Sequence, residues 1–184
     1  MILAIDTSIG TSVAVVSDDG DTLSEASTDN TRGHAEAIGR LIRQAMSDAG
    51  AAPSDIALVA AGMGPGPFTG LRIGIAAARA FAVGRGVEVV PVVSHDGAGA
   101  GTVITDARRR EVAVSTYDGV DADGLPRRTS GPELRPSTGD EQLTTRISAA
   151  AIGRIAAIRH TRGIAPDATE PLYLRSPDVM EPRT

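Results

Sequence analysis

The sequence predicts an α/β protein in which one plan is laid down twice, the second copy in a shortened lobe. Three observations predict it. Short apolar runs of strand length alternate with stretches whose apolar residues recur at helical spacing. The order strand, aspartate, turn, strand, hairpin occurs as Ala4-Ile5-Asp6, Val13-Ala14-Val15 and Asp19-Gly20, and again as Ile104-Thr105-Asp106, Val112-Ala113-Val114 and Asp118-Gly119. The 184 residues are 41% hydrophobic, enough for a core and of a length for one domain or two small lobes.

Each element follows from its residues. Met1 to Ile5 reads as a buried strand ending at Asp6, the polar turn Thr7 to Thr11 leads into a second strand at Ser12 to Ser17, and Asp19-Gly20 marks a hairpin into a third at Thr22 to Thr28. Gly33 to Ala49 places Ile38, Leu41, Ile42, Ala45 and Met46 at helical spacing, with Gly50 as its stop. A strand at Ile56 to Ala61, an apolar helix at Leu71 to Val83 with Thr69 as N-cap and Gly84 as stop, and a strand at Val87 to Val93 complete the order βββαβαβ. That is the order of a ribonuclease-H-like half, and it sets a first lobe at residues 1–93. In residues 94–184 the repeated hairpin is followed by a Gly, Pro, Asp and Arg-rich stretch, Gly119 to Asp140, which reads as loop. A helical stripe then runs from Glu141 to His160.

The least generic stretch is Gly62 to Gly74, a glycine-proline loop opening into a helix whose only charges are Arg72 and Arg79. Such a helix needs neighbours on more than one side, either its own fold or a partner protein. The loop resembles a phosphate cradle only superficially. A Walker A loop needs a lysine, and all eighteen basic residues here are arginine.

Composition excludes other classes. Two Tyr, two Phe and no Trp leave no base-stacking platform, and a net charge of −5 opposes a protein that grips nucleic acid alone. With no cysteine there is no disulfide, zinc-thiolate site or thiol nucleophile. The N-terminus lacks a basic n-region and no apolar run reaches about 18 residues, so a soluble cytoplasmic protein without membrane insertion is expected.

Two ribonuclease-H-like halves describe the fold of actin, sugar kinases and the Hsp70 ATPase. Four segments narrow the resemblance: Ile2-Leu3-Ala4-Ile5-Asp6-Thr7-Ser8, Gly64 to Gly74, Asp106 to Val112, and Glu170-Pro171-Leu172-Tyr173-Leu174-Arg175. Together they resemble the bacterial TsaB (YeaZ) family, over most of the chain. The resemblance implies a non-catalytic partner of TsaD, joined by the ATPase TsaE, in placing threonylcarbamoyl on adenosine 37 of tRNAs that read codons starting with A. It implies that ATP is used by the complex, with no cofactor assigned to this chain, and that tRNA is met only through the complex. It further implies pairing with TsaD, or with a second copy when alone, through the first lobe's two helices. The contact positions are then Ile38, Leu41, Ile42, Ala45, Arg72, Ala76 and Arg79, the last three sharing one helical stripe.

The alternative is a small ATP-dependent phosphotransferase using Asp6 and Asp106. Its first phosphate hairpin would be Asp6, Thr7, Ser8, Gly10, Thr11 and Ser12; the second, headed by Asp106, has Ala107-Arg108-Arg109-Arg110 where glycine is needed for close approach, so both hairpins read as vestigial. Relatives in the TsaD group carry two metal-binding histidines four apart, whereas His34 here is followed by Ile38. His95 and His160 lie far off in sequence, and no Gly-x-Ser-x-Gly nucleophile motif is present. Arg108, Arg109 and Arg110 are candidates for a tRNA-facing patch, or simply a solvated charge run.

Overall fold

The structure, a computed structural model, describes residues 1–30, 33–99 and 101–175. Strands β1 (Ile2–Asp6), β2 (Thr11–Val16), β3 (Thr22–Thr28), β4 (Leu58–Gly62) and β5 (Glu88–Val92) form a sheet in the order β3-β2-β1-β4-β5. β1 to β3 are antiparallel, and β4 and β5 run parallel to β1. β1 is buried on both faces, as its unbroken apolar run demands. Its residues alternate between two cores. Leu3 and Ile5, with Val13, Val15 and Val59, face α1 (His34–Asp48) and α2 (Phe68–Arg85). Ile2 and Ala4, with Ala14, Val16 and Ala60, face α3 (Ala149–Arg162). The small residues on that second face let α3 lie close: a Cβ on Gly153 would sit 2.8 Å from Val16 and 3.2 Å from Ala4.

A second sheet of three antiparallel strands, β6 (Gly101–Asp106), β7 (Glu111–Val120) and β8 (Pro126–Pro136), stands beside the first. The turn Ser94–Ala98, a single 3-10 turn, joins the two sheets. The repeated strand, aspartate and strand plan is therefore present, and the fold is ribonuclease-H-like α/β.

Several expectations need correction. α2 is longer at both ends than Leu71 to Val83. Pro67 is its N-cap rather than Thr69, because its φ of −59° and ψ of 131° turn the chain into the helix, and Leu71 N–H already bonds to the Pro67 carbonyl at 3.0 Å. The stop is Gly86, left-handed at φ 68°, so Gly84 lies inside the helix. Asp118-Gly119 is not the second hairpin turn. β7 continues to Val120, and Asp121 closes the turn by accepting from the Asp123 and Leu125 N–H groups, each at 2.9 Å. Half of the stretch expected as loop is the edge strand β8, which tolerates Pro126, Pro132 and Pro136 because an edge has spare donor positions; a register shift beside Gly131, φ 80°, absorbs the kink. The helix expected from Glu141 begins only at Ala149. Ahead of it Thr144 serves the free edge of β6, donating its N–H to the Ile104 carbonyl at 2.7 Å, and Ser148 caps α3 by accepting from Ala151 N–H at 3.2 Å.

Candidate functional site

The loop Gly62 to Pro67 is fixed to the β1–β2 turn. Asp6, 2% exposed, accepts from Ser8 N–H at 2.9 Å and Ser8 Oγ at 2.6 Å with one oxygen, and from Ser94 Oγ at 2.5 Å with the other. Ser94 Oγ in turn accepts from Gly64 N–H at 2.9 Å, and Ser94 N–H donates to the Gly64 carbonyl at 2.8 Å. Burial pushes the Asp6 carboxyl above its ordinary value, and the Ser8 and Ser94 hydrogen bonds oppose that rise. The loop glycines are there for proximity. A Cβ on Gly62 would collide with Asp6, and one on Gly66 would lie 2.7 Å from the Ser8 carbonyl oxygen.

The hairpin residues expected to meet phosphate are packed inward. Thr7 Oγ1 donates to the Gly70 carbonyl at 2.8 Å, Thr11 Oγ1 pairs with His34 Nδ1 at 2.8 Å, and Ser12 Oγ donates to Glu25 at 2.9 Å; all three are buried. Gly10 packs on the Thr28 carbonyl. The three histidines lie apart with separate partners: His34 with Thr11, His95 with Ser115 and Thr105, and His160 beside Glu88 at 3.7 Å.

Between this loop and the second sheet lies a cleft of about 570 Å³, within the usual range for small-molecule and cofactor sites. Pro65 to Gly70 form one wall, Thr105 to Arg109 the other, and Tyr173 to Arg175 close one side. The Arg wall is conformationally costly. Arg108, Arg109 and Arg110 all have positive φ, 62°, 54° and 61°, a region that costs a non-glycine residue about 1–2 kcal/mol each. Surrounding bonds hold the turn: Asp106 Oδ1 accepts from Arg108 N–H at 2.7 Å, Glu111 N–H donates to the Arg108 carbonyl at 3.0 Å, and Ser137 N–H donates to the Arg110 carbonyl at 2.8 Å.

The segment Leu172 to Arg175 bridges the two walls. Leu172 N–H donates to the Met63 carbonyl at 2.7 Å, Tyr173 packs on Phe68 with ring centroids 4.6 Å apart, and Arg175 pairs with Glu111. Sequence reading singled out this segment by resemblance but gave Ser94, Phe68 and Tyr173 no role. The signal for the last two was composition: two of the chain's four aromatic residues meet here.

The outer face of α2 is a second surface. Thr69, Arg72, Ala76, Arg79 and Val83 share it and are exposed, Val83 to 82%. The Arg72 guanidinium lies 3.8 Å above the Phe68 ring, so one of the two charges is already engaged. On α1 the expected contact positions divide. Ile38, Leu41 and Ala45 are buried in the core against the sheet and offer nothing to a partner, and Ile42 is half-buried. The apolar stripe of α1 serves this chain's own core.

A family model described as TsaD, tRNA N6-adenosine threonylcarbamoyltransferase, matches residues 22–122. The uncharacterized protein Rv3421c of Mycobacterium tuberculosis is 36% identical over 200 residues, covering 97% of this chain and 93% of that protein. A tRNA N6-adenosine threonylcarbamoyltransferase of Streptococcus pneumoniae is 36% identical over 107 residues, covering 50% of this chain and 32% of that protein. Among solved structures, YeaZ from Pseudomonas aeruginosa superposes with a TM-score of 0.73 at 24% identity, covering 88% of this chain and 92% of that one. An uncharacterized protein described as similar to peptidase YEAZ from Pseudomonas aeruginosa gives 0.78 at 24% identity, covering 95% and 99%. Among the described residues no helix is long and apolar enough to cross a membrane.

Proposed function

The chain belongs to the tRNA N6-adenosine threonylcarbamoyltransferase (TsaD) family and has the YeaZ fold, and from that premise we propose that it is the non-catalytic, TsaB-type subunit of a cytoplasmic tRNA-modifying complex. It binds TsaD, with TsaE joining the assembly, and supports transfer of threonylcarbamoyl to adenosine 37. ATP is consumed by the complex. The observation that carries this reading is the outer face of α2, where Ala76 lies exposed between Arg72 and Arg79, and Val83 one turn beyond Arg79, on a long helix with no acidic residue. A face of that kind is suited to close approach by another helix. The inward-turned Asp6 hairpin supports a scaffold over a phosphotransferase, since the Asp6 carboxylate already accepts from three donors.

Size-exclusion chromatography with light scattering, on this chain and TsaD from the same organism, tests the reading. Co-elution as a heterodimer is expected, and Ala76→Glu is expected to abolish it while leaving the fold intact, because Ala76 is exposed in the isolated chain. Separate elution of the wild-type proteins at micromolar concentration would rule the proposal out.

A further inference from the structure

The turn between β6 and β7 is the place where this chain accepts conformational cost to hold charge. Three consecutive residues adopt a backbone suited to glycine or asparagine, and all three are exposed arginines. The turn is held from within by the Asp106 carboxylate and the Glu111 N–H, and from outside by Ser137 N–H on the Arg110 carbonyl and Arg175 on the Arg108 carbonyl. The guanidinium stems therefore leave a fixed backbone. Among the described residues the cluster brings together, with Arg175, four arginines and two carboxylates, Asp106 and Glu111, and Glu111 is paired with Arg175. Arginines outnumber carboxylates here among the described residues, in a chain whose net charge is −5. Ordinary solvation of the arginines needs neither the left-handed backbone nor the external anchors.

We propose that Arg108, Arg109 and Arg110 contact the sugar-phosphate backbone of the tRNA substrate. The proposal rests on the tRNA-modifying reading above and concerns a surface separate from the α2 face. Phosphate is the matching chemistry: guanidiniums bind its oxygens through paired N–H donors, and a sequence-independent contact asks only for charge held in place. Arg108 and Arg109 line the cleft, all three arginines are exposed to a large ligand, and the net negative charge of the chain opposes non-specific binding of nucleic acid.

The test is a filter-binding titration of unmodified tRNA against the chain, alone and with TsaD, over a range of salt concentrations. The variant is R108N/R109N/R110N. Asparagine tolerates the left-handed region, so the turn keeps its shape. Its tRNA affinity with TsaD is expected to fall at least tenfold at low salt, with the slope of log K against log salt shallower by about 2, as for loss of two or three phosphate contacts. R108K/R109K/R110K is expected to recover most of the slope. Co-elution with TsaD, scored in parallel, should be unchanged in both variants; failure of the wild type to co-elute would break the scaffold reading instead. Unchanged tRNA affinity and slope in the asparagine variant, in either form of the protein, would overturn the proposal. So would loss of inorganic phosphate binding by the isolated variant with tRNA binding intact, which would make the turn a small-anion site.

Discussion

His95 is fully buried, and its Nδ1 and Nε2 pair with Ser115 Oγ at 2.8 Å and Thr105 Oγ1 at 3.0 Å. Burial, with the nearby Arg128 guanidinium, lowers its pKa from 6.5 to about 4. The sign follows from linkage. Between those values the unfolded chain holds the proton and the folded chain does not, so stability is full above the unfolded value and is lost as pH falls from 6.5 toward 4. A displacement of that size corresponds to about 3 kcal/mol. Urea unfolding at pH 7, 5.5 and 4.5 should therefore show a fall that His95→Gln flattens; parallel pH profiles for the two proteins would show that His95 does not titrate this way. At this scale the sequence was only partly legible. An isolated histidine beside Asp96 carries no sign of its two hydroxyl partners, which come from strands 10 and 20 residues away. The apolar positions Ile38, Leu41 and Ala45 were legible as a stripe, but spacing alone does not distinguish a stripe facing its own sheet from one facing a partner. The arginine turn was visible as a run without glycine. Its left-handed backbone was not, because no residue type there favours it.

α2 shows what a helix owes to its neighbours. Its existence was legible from the long low-charge run, whereas its ends were not, since Thr69 and Gly84 look like better signals than Pro67 and Gly86. Gly74 and Gly84 both lie inside the helix, where alanine is ordinarily better than glycine by about 0.8–1 kcal/mol. Their surroundings differ. A Cβ at Gly74 would collide with Thr7 Oγ1, whose hydroxyl is held by the Gly70 carbonyl, whereas one at Gly84 meets nothing within 4 Å. Gly84→Ala is expected to raise stability by about 0.5–1 kcal/mol, and Gly74→Ala to lower it by about 1–3 kcal/mol through overpacking. Denaturant midpoints for the two variants decide the matter. Stabilisation by both would mean that Thr7 does not pack against α2, and with it the fixation of the β1–β2 turn beneath this helix would go.

The whole molecule is a sheet with helices on both faces and a smaller sheet attached mainly by polar bonds. The repeat of strand, aspartate and strand was legible because the same short pattern occurs twice. That α3 packs on the first sheet was not, since helical periodicity marks a buried face without naming what buries it. Neither large apolar cluster includes a residue of β6, β7 or β8. The β7–β8 turn adds Leu125 to the second cluster, and the strands themselves are joined through Asp96, which accepts from Tyr117 Oη at 2.7 Å and from Arg128 Nε at 3.2 Å. Arg128 continues to Asp167 at 2.8 Å, and Arg159 of α3 meets Asp167 at 2.9 Å. Polar bonds exchange protein partners for water at small net gain, about 0.5–1.5 kcal/mol each, whereas burial of a large apolar side chain contributes about 1.5–3 kcal/mol. The smaller sheet should therefore open at lower free energy than the larger one. Native-state hydrogen exchange is expected to show β6 to β8 amides exchanging through a sub-global opening, while those of β1, β2 and β4 exchange only on global unfolding. Tyr117→Phe, which removes one donor to Asp96, should bring the first opening closer without moving the second by the same amount. Equal protection in both sheets, shifted equally by the substitution, would mean that the two fold as one cooperative unit and that the polar junction is as strong as a shared core.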